Sequence, residues 1–264
     1  NIGATGTNAY TSTEVTAYIN EIPSNEIRRW LAIEQERFSE LVLRLFHTEL
    51  EAVYEEFNMR MKDSDGSKAF KSMFELLYLK HPLGTQTTIG EPEHLKNPSW
   101  VNIEDYFKKY YVPNNMCIAM SGDLNMDSTI KMIDEYFGGF EMKEVPPISL
   151  PEEDPIDKVR SVDIYGPDQD FIIMGFRLGN NKSGDNKYAE LLSKMLYNGT
   201  AGLIDLNLVQ KQRLLGASTF YWQHRDYGTQ MFWGYAREGQ DLDEVKELIL
   251  EQLDKLKKGE FDEA

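Results

Sequence analysis

The chain has 264 residues, of which 41% are hydrophobic and 12% aromatic, so it can bury one large core or two medium ones. Its formal net charge of −16 argues against a nucleic acid partner, because phosphate binding needs a basic surface. No run approaches the roughly 18 apolar residues of a membrane span, and the single cysteine excludes an internal disulfide and a cysteine metal cluster.

The first part of the chain combines strand and helix patterns. Alternating polar and apolar residues predict one half-buried strand from Asn8 to Ile22, which Pro23 ends. Apolar residues then recur at helical spacing from Ile27 to Leu45 and lead into a helical stretch around Glu49 to Glu56. Later patterns predict helices over 70–77, 103–111 and 128–137, and a buried strand over 115–120 in which Cys117 is an inert thiol.

Four prolines among acidic residues mark residues 142–158 as an extended linker. We therefore expect a first domain over 1–143, a linker over 144–158 and a second domain over 159–264. Beyond the linker the patterns predict a strand over 171–178, helices over 188–196 and 203–214, paired strands over 218–224 and 230–236, and a helix over 242–256. This order predicts an α+β fold of two similar units, each an antiparallel sheet with helices packed on one face.

Glu49 and Glu56 form the most informative pair in the chain, because they lie seven residues apart in a helical stretch. Seven residues come within roughly 20° of two full helical turns, so both carboxylates share one face with Ala52 and Val53 between them. We expect this face to be buried, and two buried carboxylates need a cationic partner such as a metal ion. The alternative is a solvated acidic helix.

Several stretches together resemble the pitrilysin/insulinase family of zinc metallopeptidases, the M16 type with an inverted zinc motif. The resemblance is specific over residues 1 to 140 and weaker after the linker. The matching stretches are Asn8 to Ser12, Glu49-x-x-Ala52-Val53-x-x-Glu56, His81-Pro82-Leu83-Gly84 with Gly90, and residues 110–116 with 121–124. The resemblance implies a LuxS/M16-like metallopeptidase fold for each of the two units.

The resemblance also assigns roles to particular residues. Glu56 would be the third zinc ligand, and Glu49 would orient a histidine ligand or balance charge. Asn8, Ala9, Tyr10, Thr11 and Ser12 would form the strand that binds an extended peptide substrate through its main chain. The alternative for this strand is an ordinary sheet edge covered by its neighbour.

One departure from the family pattern is large. Family members carry an H-x-x-E-H helix with two histidine ligands and the general base, well before the glutamate ligand. The four histidines of this chain, His47, His81, His94 and His224, do not form such a pair. We therefore expect a fragment that lacks this helix, with no catalytic base of its own, that neither binds zinc nor cleaves peptides.

For the intact protein the resemblance implies hydrolysis of short or unfolded peptides by a zinc-activated water, together with a second M16-like half, fused or separate. Two alternatives stay open. The first is a catalytically inactive M16-like partner subunit or peptide-binding scaffold, and the second is an acidic binding module outside the family. The compartment also stays open, because the first residues show no targeting segment and both a bacterial periplasm and a cytoplasm fit.

Overall fold

The computed structural model describes residues 2–62 and 64–261. Its strands are β1 (Gly6–Thr11), β2 (Thr16–Glu21), β3 (Phe171–Leu178), β4 (Gly216–Gln223) and β5 (Gly228–Tyr235). Its helices are α1 (Ile27–Ser39), α2 (Phe46–Phe57), α3 (Asp65–Leu77), α4 (Pro82–Thr85), α5 (Pro92–Lys96), α6 (Trp100–Tyr110), α7 (Met126–Phe137), α8 (Asp185–Leu196) and α9 (Leu242–Lys258). None of the described helices is long and apolar enough to cross a bilayer.

Contacts group the described residues into two units. The first unit lies within Asn1–Glu56 and Thr88–Leu150, and the second within Phe57–Thr87 and Pro151–Ala264. One break therefore falls inside the predicted linker, whereas 57–87 groups with the second unit. The predicted division into domains 1–143 and 159–264 stays a prediction, because grouping by contact does not test the repeat from which those domains were inferred.

The first unit opens with a hairpin in which β1 pairs antiparallel with β2. The prediction of a single strand from Asn8 to Ile22 is thus wrong. Ser12 makes the turn with its side chain, because its Oγ accepts the N–H groups of Glu14 at 3.4 Å and Val15 at 3.3 Å. The turn carries no glycine, proline or asparagine, so serine is the one weak signal of a turn in this stretch.

Aromatic rings hold the hairpin against helices of the same unit. The ring of Tyr18 in β2 meets Phe38 of α1 edge-on at a centroid distance of 5.3 Å. The hydroxyls of Tyr18 and Tyr111 lie 3.2 Å apart, and Tyr111 directly follows α6. Burial, reinforced by the hydrogen bond with Tyr18, raises the pKa of Tyr111 to about 12. The inner face of the hairpin is therefore fixed to α1 and to the end of α6.

The predicted buried strand over 115–120 is not a strand in the structure, and Cys117 is exposed. The run has the composition of a strand, but a strand also needs a neighbour to complete its hydrogen-bond ladder. The described residues place no neighbouring strand beside it.

The second unit is built around a three-stranded sheet in the order β3, β5, β4, in which both neighbouring pairs are antiparallel. The strands predicted over 218–224 and 230–236 therefore pair as expected. Helices α8 and α9 pack on one face, and α3 packs against β3 on the other. The helix predicted over 203–214 is shorter, since a π-helical turn over Asp205–Val209 is followed by a positive φ of 53° at Gln212.

Two glycines allow the helices to approach this sheet closely. A Cβ on Gly234 of β5 would lie 2.7 Å from side-chain carbons of Ile249 and Val245 in α9. A Cβ on Gly175 of β3 would lie 2.7 Å from Leu77 Cδ1 in α3. Both distances are below normal carbon contacts, so a side chain at either position would push the helix away. The α+β class with antiparallel sheets is confirmed.

Candidate functional site

Helix α2 carries the candidate metal ligand, and contacts within the first unit position it. Leu45, with a φ of 53°, redirects the chain, and its carbonyl accepts the N–H of Glu49 at 3.0 Å. The ring of Phe46 then lies 5.3 Å from Trp100, measured between centroids. One turn before the helix ends, Lys96 Nζ lies 5.3 Å from the ring centroid of Tyr54. These contacts use the aromatic face of α2.

Glu49 and Glu56 lie in one uninterrupted helix, on a face next to the aromatic one. The two carboxylates therefore share a helix face, as their spacing predicts. Glu49 is exposed and Glu56 is half-buried. The expectation that this face is buried is wrong, because α2 contains no fully buried residue and Ala52 is exposed. The helix packs through Phe46 and Tyr54 instead, and on the carboxylate face Glu49 and Ala52 are exposed.

A complete zinc site does not fit the residues present. The described part of the chain contains no group of three or more histidine, cysteine, aspartate or glutamate side chains that could hold a metal ion. His47, also on α2, is exposed and packs against the ring of Phe46 at a centroid distance of 5.7 Å. Zinc needs three protein ligands to keep one open tetrahedral position, so Glu56 can supply at most one of them. The roles of Glu49 and Glu56 stay predictions.

The candidate peptide-binding residues lie at the start of the hairpin. Asn8, Ala9, Tyr10 and Thr11 belong to β1, and Ser12 begins the turn. Within the described residues the sheet has two strands, so one edge of β1 faces β2 and its outer edge has no strand partner. Asn8 to Ser12 are all exposed. An open edge of this kind can accept an extended peptide as an added strand.

Sequence reasoning missed a buried polar cluster in the second unit. Glu153 comes from the predicted linker, yet its side chain is only 2% exposed. Its Oε1 accepts the N–H groups of Lys80 at 2.5 Å and His81 at 2.7 Å, and Arg177 Nη1 lies 3.4 Å from Oε2. Burial raises the pKa of this carboxyl, but the main-chain donors and Arg177 together lower it by more. The net pKa therefore lies below its usual value.

His81 extends this cluster. Its side chain is 6% exposed, its Nδ1 accepts the N–H of Leu83 at 3.2 Å, and its Nε2 lies 3.5 Å from Asp226 Oδ2. The imidazole thereby caps the short helix α4 and faces the turn between β4 and β5. His81 and Glu153 thus fix the main chain of the second unit.

Comparison with known protein families identifies the class of protein to which the chain belongs. A family model described as "Peptidase M16 inactive domain" matches residues 102–264. The match covers more than half of the chain, which therefore belongs to the M16 peptidase family. The resemblance inferred from the sequence is confirmed.

Relatives named as proteases share sequence or fold with the chain. The zinc protease PqqE of Helicobacter pylori is 25% identical over 264 residues, which cover 97% of this chain and 59% of that protein. Mitochondrial-processing peptidase subunit beta of Saccharomyces cerevisiae is 26% identical over 151 residues, or 54% of this chain and 31% of that protein. The crystal structure of a protease from Helicobacter pylori has the same fold, with a TM-score of 0.85 and 23% identity over 99% of this chain and 65% of that one. The chain thus spans less than two thirds of each of these proteins.

Proposed function

We propose that this chain forms part of a zinc-dependent metalloendopeptidase that cleaves short or unfolded peptides. The observation that carries the proposal is the placement of Glu49 and Glu56 on one face of α2, in a chain of the M16 family. Relatives named zinc proteases support the same chemistry. Glu56 is the proposed metal ligand, and Glu49 is proposed to orient a histidine ligand or to balance charge.

The proposal requires further polypeptide. Two imidazole ligands and a general base must come from outside the 264 residues, since the described residues hold no three-ligand group. A second M16-like half, fused or separate, is part of the proposal because the chain spans 59% of its zinc protease relative. The peptide substrate is proposed to add to the outer edge of β1, where main-chain groups recognise an extended backbone more than a particular sequence.

An inactive partner subunit or peptide-binding scaffold is the second candidate function. The observation in its favour is that the matching family model is described as an inactive domain. That model covers residues 102–264, so it includes neither Glu49 nor Glu56. A subunit that binds no metal has no chemical need for two carboxylates on one helix face. The region before residue 102 therefore favours the active metallopeptidase over the inactive subunit.

The test uses the natural polypeptide that contains this chain, with zinc content measured by mass spectrometry and cleavage measured on a quenched fluorescent peptide. Glu56→Gln should lose zinc and activity together. Glu49→Gln should lower zinc affinity or rate by about 10- to 100-fold, as expected for a residue that orients a ligand. Glu55→Gln is the matched control, because Glu55 is an exposed residue on another face of α2, and it should change neither.

Full activity in Glu56→Gln would overturn the ligand assignment. A natural polypeptide that binds peptide without zinc or cleavage would support the scaffold function instead. The isolated 264-residue chain should neither bind zinc stoichiometrically nor cleave, since one carboxylate cannot hold the metal. Tight one-to-one zinc binding by that chain would also contradict the assignment of Glu56.

A further inference from the structure

The hydrogen bonds of the hairpin define which main-chain groups of β1 face outward. The N–H of Ser12 donates to the carbonyl of Val15 at 2.8 Å, so this pair is hydrogen-bonded. Hydrogen-bonded and non-bonded pairs alternate along an antiparallel ladder. Tyr10 and Asn8 therefore bond inward to β2, whereas the N–H and C=O groups of Thr7, Ala9 and Thr11 lie on the outer edge.

The outward N–H of Ala9 is already engaged. It donates to Oδ1 of the preceding Asn8 at 2.8 Å. The Asn8 side chain thereby places an amide oxygen at the outer edge of the strand, where the carbonyl of an added peptide strand would otherwise lie. Among the described residues, Ala9 is the one outward-facing position of β1 at which a side chain supplies such an acceptor.

We propose that Asn8 is a positioning residue that guards this edge, by capping the Ala9 N–H until a peptide carbonyl takes over the bond. The inference rests on the proposed function, since it concerns the strand to which the substrate is proposed to add. Exposed edges are templates for unwanted pairing, and proteins usually blunt them. A cap made by the neighbouring side chain blunts the edge reversibly, because rotation of one side chain uncovers the donor.

Replacing the Asn8 side chain by a peptide carbonyl as the acceptor of the Ala9 N–H has a measurable cost. Peptide binding must break the Asn8 to Ala9 bond, and one such bond corresponds to about a threefold to tenfold change in an equilibrium constant. Removing the cap with Asn8→Ala should therefore tighten peptide binding by about this factor. Asn8→Asp is the matched variant, because its carboxylate keeps an acceptor at the same distance from the backbone and should bring no such gain.

The cap itself is tested by amide hydrogen exchange of the 264-residue chain, followed residue by residue by NMR. In the unchanged chain the Ala9 amide should exchange more slowly than the outward amides of Thr7 and Thr11. Asn8→Ala should speed exchange at Ala9 by about tenfold, while the inward amide of Tyr10 stays unchanged. A general loss of hairpin stability would instead speed all these amides together, and that result would overturn the proposal.

The binding test uses a fluorescein-labelled peptide of alternating threonine and valine with lysine at both ends, measured by fluorescence anisotropy. A copy with N-methylated valines, which cannot complete a strand ladder on that edge, is the control. Tighter binding of the unmodified peptide by Asn8→Ala than by the unchanged chain and Asn8→Asp supports the guard. Equal or weaker binding by Asn8→Ala overturns the proposed capping role of Asn8 but not the proposal that the peptide adds to β1 as a strand. No binding by the unchanged chain, or equal binding of the methylated peptide, overturns strand addition and the guard together.

Discussion

The two units of the molecule differ in how they bury their apolar side chains. The two hydrophobic clusters found among the described residues lie within the second unit, where Phe232 is 1% exposed and Ile249 is fully buried. Among the described residues of the first unit the buried apolar side chains are Ile27, Leu31 and Val112, whereas Leu45 is 74% exposed. The second unit therefore has a closed core of its own, and the first has little of one.

This difference matters because the candidate functional residues all lie in the first unit. Glu49 and Glu56 are on α2, and the proposed peptide-binding residues are on and next to β1. Regions with few buried apolar contacts open locally at low free energy cost. We expect the second unit to hold its structure alone, and the region that bears the candidate site to gain rigidity from further polypeptide, as the proposed function requires.

The largest expected effect comes from opening the core of the second unit. Phe232→Ala removes a buried ring that meets Phe176 edge-on at a centroid distance of 5.7 Å. Such a substitution costs about 3 to 5 kcal/mol, because it loses burial and leaves a cavity. Native-state hydrogen exchange of β3 and β5 measures this cost as lost protection in these strands.

Val42→Ala is the control from the first unit, since Val42 is 59% exposed. It should change the free energy of local opening by no more than about 0.5 kcal/mol. Equal costs for the two substitutions would break the contrast between the units, because they would mean that Val42 is as well packed as Phe232.

A smaller effect concerns the buried carboxylate of Glu153 in the second unit. Glu153→Gln removes the charge beside Arg177 and one of the oxygens that accept hydrogen bonds, at a cost of about 1.5 to 3 kcal/mol. Its neighbour Glu152 is exposed, so Glu152→Gln is the matched control with no expected loss. Urea unfolding, monitored by amide hydrogen exchange in β3, measures the stability change in each of the two variants.

The effect of Glu153 also depends on pH. Its pKa is lower in the folded chain than in the unfolded chain, so the unfolded state takes up protons first as the pH falls. The stabilisation is complete above the ordinary glutamate pKa and is lost as the pH falls through the lowered one. Glu153→Gln should therefore flatten the acid side of the stability curve. An unchanged acid curve would show that this carboxylate does not titrate as its surroundings indicate.

The sequence predicted elements well where one chain segment carries its own pattern: β3 is a short continuous apolar run, and the apolar residues of α9 repeat with the helical period. It failed where structure depends on a partner or on one side chain. Ser12 turns the hairpin in a stretch that lacks glycine, proline and asparagine, and the run around Cys117 has strand composition but no described neighbour. The sequence predicts an extended linker around Glu153, because nothing in a proline-rich acidic stretch reveals that distant main-chain donors meet one carboxylate.

The candidate site was predictable only as a spacing. The spacing of seven positions from Glu49 to Glu56 specifies a shared helix face, and the structure has that face. The spacing does not specify what covers the face, since burial depends on the surrounding chain. The exposure of Ala52 shows this limit directly.

The smallest expected effect lies at the start of the helix that bears the candidate ligand. Leu45 has a φ of 53°, a left-handed conformation in which its Cβ is crowded, and its side chain is 74% exposed. Leu45→Gly relieves this crowding and loses little burial, although the unfolded chain gains freedom that partly offsets the benefit. The net result should be a stabilisation of the first turn of α2 by up to about 1 kcal/mol.

The Glu49 amide reports this change, because it donates to the Leu45 carbonyl at 3.0 Å and its exchange should slow in Leu45→Gly. Leu45→Ala keeps a Cβ and therefore the crowding, so it should leave the exchange rate unchanged. Equal slowing by alanine would place the effect in the leucine side chain and not in the backbone. Faster exchange in Leu45→Gly would mean that the Leu45 side chain makes stabilising contacts in solution. The first unit would then be better packed than its exposed residues indicate.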